Sequence, residues 1–191
     1  MKWMMTSLIL ATLAATAATA APVEYKIDSA HSRAQFSVRH MMVSNVRGDF
    51  SKITGTVAYD DANPAAIKID ATIDTTTINT SEPQRDTHLK SPDFFDVAKY
   101  PTMTFRSKSA TRSAAGLKVT GDLTLHGVTR QVVLDVEQPS AEVGGKRGAT
   151  ATTRINRKDF GLTWNRAIEA GGMAVDEEVS ITIDIEAGRA R

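Results

Sequence analysis

The densest group of chemically capable side chains lies in RDTHLKSPDFFDVAKYP, residues 85–101, where Arg85, Asp86, His88, Lys90, Asp93 and Asp96 surround Phe94 and Phe95. A histidine beside carboxylates offers general acid–base catalysis, and an arginine offers a planar cation for a phosphate or carboxylate. Ser81, Glu82 and Pro83 supply an N-cap candidate, an acidic first turn and a proline suited to that turn. The sequence therefore predicts a short helix from about Glu82 to Lys90, ended by Ser91-Pro92, inside an insertion spanning residues 82–99. On that helix Arg85, His88 and Leu89 share one face. Three uses of this face compete: ion pairs that hold the helix to the end of the fold, recognition of a ligand headgroup, and catalysis on a small apolar substrate by His88 or His31 with Asp86.

The catalytic use lacks parts. No serine sits in a GxSxG turn, and no obvious nucleophile stands beside Arg85, Asp86 and His88. The histidines are His31, His40, His88 and His126, with no HExxH pattern or i, i+4 pair, and the chain has no cysteine. No catalytic constellation, metal site or required cofactor is recognisable, although a metal held by distant strands stays open. His40 stands apart because its parity puts it on the face of Phe36 and Val38, where a polar group needs a partner: a neighbouring strand, or a polar ligand atom.

The elements that must position these residues are strands. In 33–40, Ala34, Phe36, Val38 and His40 alternate with Arg33, Gln35, Ser37 and Arg39. The same period of two recurs at Ile67-Ile69-Ala71-Ile73, Val132-Leu134-Val136 and Val179-Ile181-Ile183-Ile185. Turn-forming runs separate the apolar segments at 60–64, 113–116, 126–127 and 144–146. Strands are predicted near 23–28, 33–41, 52–60, 66–74, 102–109, 117–125, 129–138, 148–156 and 178–186, with two of these forming one continuous strand. The fold class is all-β, an antiparallel barrel of about eight strands, with a two-sheet sandwich as the structural alternative.

Residues 1–20 combine Lys2, an apolar stretch from Trp3 to Leu13 and a small-residue run ending Ala18-Thr19-Ala20. They read as a cleavable signal peptide, leaving 21–191 as one exported domain. Without Lys2 the remaining chain carries 22 basic and 22 acidic residues, a balance that gives no footprint for nucleic acid.

Five segments, YKIDSAHSRAQFSVRHMMVSNVRGDF (25–50), RDTHLKSPDFFDVAKYPTMTF (85–105), GDLTLHGVTRQVVL (121–134), INRKDFGL (155–162) and VDEEVSITIDIEA (175–187), resemble in order the signatures of the YceI-like family. The resemblance implies an extended lipocalin-like β-barrel in the periplasm that binds a long amphiphile, a polyisoprenoid or isoprenoid quinone, in an apolar tunnel. It implies no catalytic residues. Carried onto this chain, it makes Phe36, Val38, Phe50, Leu89, Phe94, Phe95, Phe105 and Leu125 candidates for the tunnel wall or mouth. His31, His40, Arg85, His88, Asn156 and Arg157 become candidates for a polar framework near a headgroup. An isoprenoid phosphate would call on cations such as Arg85 or Arg157, and a quinone on neutral donors. Transient membrane contact for ligand exchange, and a homodimer, follow from the same resemblance.

Overall fold

The computed structural model describes residues 21–169 and 171–190, so the signal-peptide reading of 1–20 lies outside the described residues. Eleven strand segments make one antiparallel sheet: β1 Val23–Ile27, β2 Arg33–His40, β3 Ser44–Phe50, β4 Ile53–Tyr59, β5 Lys68–Asp74, β6 Ile78–Asn79, β7 Thr102–Ser113, β8 Gly116–Leu125, β9 Val128–Glu137, β10 Lys146–Asn156 and β11 Val175–Arg189. The 15-residue β11 closes the sheet, because its first part pairs with β2 and its last residues pair with β1. The pairs β1/β2, β3/β4 and β5/β6 each act as one interrupted strand, which makes a closed eight-stranded barrel. The sheet closes on itself through β11, which excludes the two-sheet sandwich.

Two strand segments, β3 and the two-residue β6, fall outside the predicted strands. β3 escaped the alternation count because Gly48 stands where an inward apolar residue would be, between Val46 and Phe50. Its missing side chain is filled from next door: a Cβ on Gly48 would sit 2.5 Å from the tip of the Phe36 ring. Gly121 does the same for Phe105, at 2.4 Å. Both large rings lie flat over a neighbouring strand at a place where only glycine leaves room.

The β9–β10 seam differs from the rest of the wall. β10 pairs with β11 along its whole length, yet with β9 only at Ala151↔Val136 and Thr152↔Asp135. Beyond them Thr153 substitutes a side-chain bond, its Oγ1 donating to the Val133 carbonyl at 2.8 Å.

Helix α1 runs Pro83–Lys90, as the sequence predicts, but its cap is Glu82 rather than Ser81. The Glu82 carboxylate accepts from the Gln84 and Arg85 N–H groups at 3.1 and 2.5 Å, while Ser81 is used at φ 60° to turn the chain into the helix. A capping carboxylate satisfies two orphan donors and also complements the helix dipole. The helix and the segment after it lie at the end of the barrel that also carries turns 41–43, 126–127 and 157–174. The opposite end carries 60–67, 114–115 and 138–145.

Candidate functional site: a tunnel through the barrel

Inward-facing residues of every long strand line a cavity of about 380 Å³ that extends from His40, Arg85 and His88 at the helix end to Tyr25, Tyr59 and Arg147 at the other. The volume falls in the ~300–1,000 Å³ range of small-molecule sites, and the lining is apolar along the middle. All eight residues assigned to a tunnel wall, Phe36, Val38, Phe50, Leu89, Phe94, Phe95, Phe105 and Leu125, face it. Parity explains the strand members, because residues two apart share a face. Leu89, Phe94 and Phe95 arrive from the insertion, where the Phe95 N–H donates to the Leu89 carbonyl at 2.9 Å and folds the chain back under the helix.

Aromatic rings collar the upper end. Phe50 stands 5.9 Å from Phe36 and 5.5 Å from Phe95, centroid to centroid. Trp164 meets Phe94 at 5.1 Å and the edge of His88 at 4.9 Å. Each such pair adds about 0.5–1.5 kcal/mol beyond area burial, so the collar is a stiff rim.

The polar candidates divide. His40, Arg85, His88 and Arg157 line the cavity. Arg157 is only 5% exposed, and every hydrogen bond its guanidinium makes among the described residues goes to a backbone carbonyl: Asp176 at 2.8 Å, Leu162 at 2.5 Å and Val175 at 3.4 Å. Burial pulls its pKa below the ordinary value, with Glu177 and Asp176 opposing that pull. Arg85 likewise donates only to Thr80, from Nε to the hydroxyl at 2.8 Å and from Nη2 to the carbonyl at 2.9 Å. Two cations thus stand at the upper end held by neutral oxygens.

His31 and Asn156 do not join them. His31 has a 60% exposed side chain on the outer surface, its Nδ1 2.8 Å from Asp28. With Asp28 and Glu186 it forms a trio whose ligand atoms lie within 4.8 Å, but the Lys146 ammonium sits 2.5 Å from Glu186 and 3.5 Å from Asp28 and already supplies the counter-charge. Asn156 caps the 3-10 turn Arg157–Phe160, accepting from the Lys158 N–H at 2.9 Å, and its exposed side chain reaches Glu177. A capping role requires that oxygen to point along the turn, away from the lumen.

The proposed pairing of His88 with Asp86 is not assembled. Asp86 accepts from both the N–H and the hydroxyl of Thr80, at 2.8 and 2.5 Å, and so fixes the residue that holds Arg85. His88 Nε2 instead lies 2.8 Å from Asp93.

A polar cluster at the lower end went unread in the sequence. Arg147 lies 5.7 Å from the Tyr25 ring centroid and 5.3 Å from that of Tyr59. It donates to the Tyr25 hydroxyl at 3.0 Å, the Ser140 carbonyl at 2.8 Å and the Asp61 carboxylate. Tyr25 in turn donates to Glu142 at 2.5 Å, and Gln138 to the Tyr59 hydroxyl at 3.3 Å. These partners lie up to 122 residues apart, so no local motif announces them.

A closed antiparallel barrel around an apolar lumen, rimmed by aromatics and guanidinium groups, defines a lipocalin-like fold. The YceI-like domain matches residues 25–187, and the chain belongs to that family. It is 38% identical over 192 residues to protein YceI of Escherichia coli O17:K52:H18, covering 97% of each chain. Among solved structures, BcnA of Burkholderia cenocepacia is similar with a TM-score of 0.74 and 26% identity, over 84% of this chain and 99% of that one. A domain from Saccharophagus degradans described as polyisoprenoid-binding shares the fold at a TM-score of 0.68 and 15% identity, over 88% and 99%.

Proposed function

We propose that this protein is an exported carrier that holds a long isoprenoid amphiphile, a polyprenyl phosphate or an isoprenoid quinone, with its chain in the barrel lumen and its headgroup at the upper rim. The observation that carries the reading is the continuous apolar cavity faced by Phe36, Val38, Phe50, Leu89, Phe94, Phe95, Phe105 and Leu125. Each buried methylene contributes about 0.8 kcal/mol, so ten of them supply about 8 kcal/mol before ordering costs. Tail burial sets affinity, and the few polar groups set orientation. Arg157 and Arg85, held by neutral oxygens, favour the anionic headgroup of the two. The Saccharophagus domain's description is consistent with this ligand class. The proposed compartment is the periplasm, reached through the signal peptide.

Mass spectrometry of an organic extract of the mature protein, purified from the periplasm without detergent, tests the reading. A prenyl phosphate or quinone at near-stoichiometric yield is expected. In Phe36→Glu, a carboxylate placed in the lumen should abolish retention. A folded Phe36→Glu protein that retains the lipid normally would exclude the lumen as its site.

A further inference from the structure

We infer that the paired loop tips 41–43 and 171–173, with Arg166 beside them, form a surface that docks the upper mouth of the barrel onto a phospholipid bilayer, an inference that rests on the carrier reading for its purpose. Among the described residues, the large apolar side chains left exposed are Met42, Val43, Val133, Val143 and Met173, at 56%, 77%, 42%, 76% and 47%. Three of these five share this one tip, whereas Val133 and Val143 stand on other parts of the surface. The two loops are joined: the Met41 N–H donates to the Ala174 carbonyl at 2.8 Å, and Met42 lies close enough to Gly172 that a Cβ there would come within 3.0 Å of its sulfur.

The turn itself is built from costly residues. Met41 and Met42 have φ of 52° and 58°, and the Val43 N–H donates to the His40 carbonyl at 3.0 Å. Tight turns with positive φ at both central positions ordinarily select Asn-Gly, because a bulky side chain is strained there. Here two methionines occupy them, with Val43 following. The Arg39 guanidinium holds the strained backbone by donating to the Met42 carbonyl at 3.0 Å. Strain of this kind, retained where a cheaper sequence exists, points to a use for the side chains.

A bilayer fits that use better than a protein does. Three side chains on a convex tip are far short of the ~800 Å² per partner that a stable protein interface buries. A lipid interface, by contrast, accepts single flexible apolar side chains without shape complementarity, and arginines flanking them reach the headgroups. Arg39, at the end of β2 beside the first loop, and Arg166, on the second, are exposed. Glu169 shares the second loop and exposed Asp176 follows it, while Glu177 and Glu178 nearby are paired to Lys158 and Arg154. The tip also adjoins the mouth: His40 pairs with Val175, and both line the cavity. An amphiphile leaving the membrane beneath the tip therefore meets the aromatic collar within a few residues.

Flotation with vesicles of phosphatidylethanolamine and phosphatidylglycerol tests this on the mature protein, with retention of a prenyl phosphate delivered from detergent micelles measured in parallel. Wild-type protein should float with the vesicles. Met42→Asp combined with Val43→Asp should lower the bound fraction at least tenfold, and Val143→Asp should leave it unchanged. Met41→Asn with Met42→Gly should raise the melting temperature yet lose flotation, separating docking from folding. Wild-type protein that does not float, or a double aspartate variant that floats equally well, overturns the docking surface. So does a change in oligomeric state in place of lost flotation, which would make the tip a protein contact. Loss of micelle-delivered lipid from the wild type would instead strike the carrier reading, leaving flotation to decide the surface.

Discussion

Each end of the lumen is occupied by a largely buried arginine, and the two are held in opposite ways. At the lower end burial works against the Arg147 charge, but hydrogen bonds to Tyr25 and Asp61 outweigh it and raise the pKa. Two tyrosine rings flank the guanidinium and a carboxylate neutralises it. At the upper end burial lowers the Arg157 pKa, and its hydrogen-bond partners are carbonyls. A cation matched by a carboxylate has its field locally cancelled, whereas one held by neutral dipoles projects attraction for an anion. In the proposed carrier the lower arginine is a fastening and the upper one, which the Glu177 and Asp176 carboxylates influence only through space, is the headgroup receptor, although both line the same cavity.

The largest effects should come from removing these two groups. Arg157→Ala strands buried carbonyls of Leu162, Val175 and Asp176 and should lower unfolding stability by about 3 kcal/mol. Arg147→Ala, with more of its partners open to water, should lose about 1–2 kcal/mol. Urea unfolding measures both. In the milder Arg157→Gln, retention of a prenyl phosphate should fall at least tenfold, while a prenyl alcohol of equal length is retained as before. Arg147→Gln should not discriminate between the two ligands. Equal discrimination by both variants would erase the contrast between fastening and receptor.

The two glycine-backed rings sharpen the comparison at a smaller scale. A Cβ at Gly121 would meet the Arg106 carbonyl at 2.5 Å as well as the Phe105 ring, and backbone cannot swing aside. Gly121→Ala should therefore cost about 2 kcal/mol in stability. At Gly48 the nearest atoms are the Phe36 ring and the Thr80 methyl, both side chains. Gly48→Ala should cost about 1 kcal/mol, and the displaced Phe36 ring should enter the lumen and weaken retention of a bulky isoprenoid. Retention by Gly48→Ala at the wild-type level, with stability reduced, would show that the ring yields in another direction.

The strand parity of Phe36, Val38 and His40 was legible because a half-buried strand imposes a period of two on its own sequence. β3 was not, because its inward alternation is broken by Gly48, whose space belongs to a ring on another strand. Of the polar residues that family resemblance singled out, His40, Arg85, His88 and Arg157 line the cavity, whereas local hydrogen bonds turn His31 and Asn156 outward. The lower cluster joins Tyr25, Tyr59, Asp61, Glu142 and Arg147 from separate strands and loops. No local sequence motif joins them. Only closure of the barrel makes them neighbours, so the signal exists in three dimensions and not in any window of sequence.

The smallest expected effect concerns acid. The Tyr25 hydroxyl, then Arg189, hold the Glu142 carboxylate below its ordinary pKa. A depressed folded-state pKa stabilises the protein above the unfolded value, and that contribution is lost as pH falls through the folded value. Protonation of Glu142 releases the acceptors for Tyr25 and Arg189, so the lower fastening loosens once the pH falls below the ordinary glutamate range. The bonds of Arg157 end on carbonyls, which do not titrate. Depressed pKa values of Asp74, bonded first to Thr76, and of Glu177, bonded first to Lys158, make the outer rim acid-sensitive as well, but not those carbonyl bonds. Amide exchange at about pH 3 against about pH 6, corrected for intrinsic rates, should therefore show protection lost at Val143 and Lys146 before Leu162, whose N–H donates to the Arg157 carbonyl. Glu142→Gln should remove most of that pH dependence at Val143 and Lys146. If Leu162 opens first, the upper arginine depends on the acidic residues around it, and the neutral-dipole account of its grip fails.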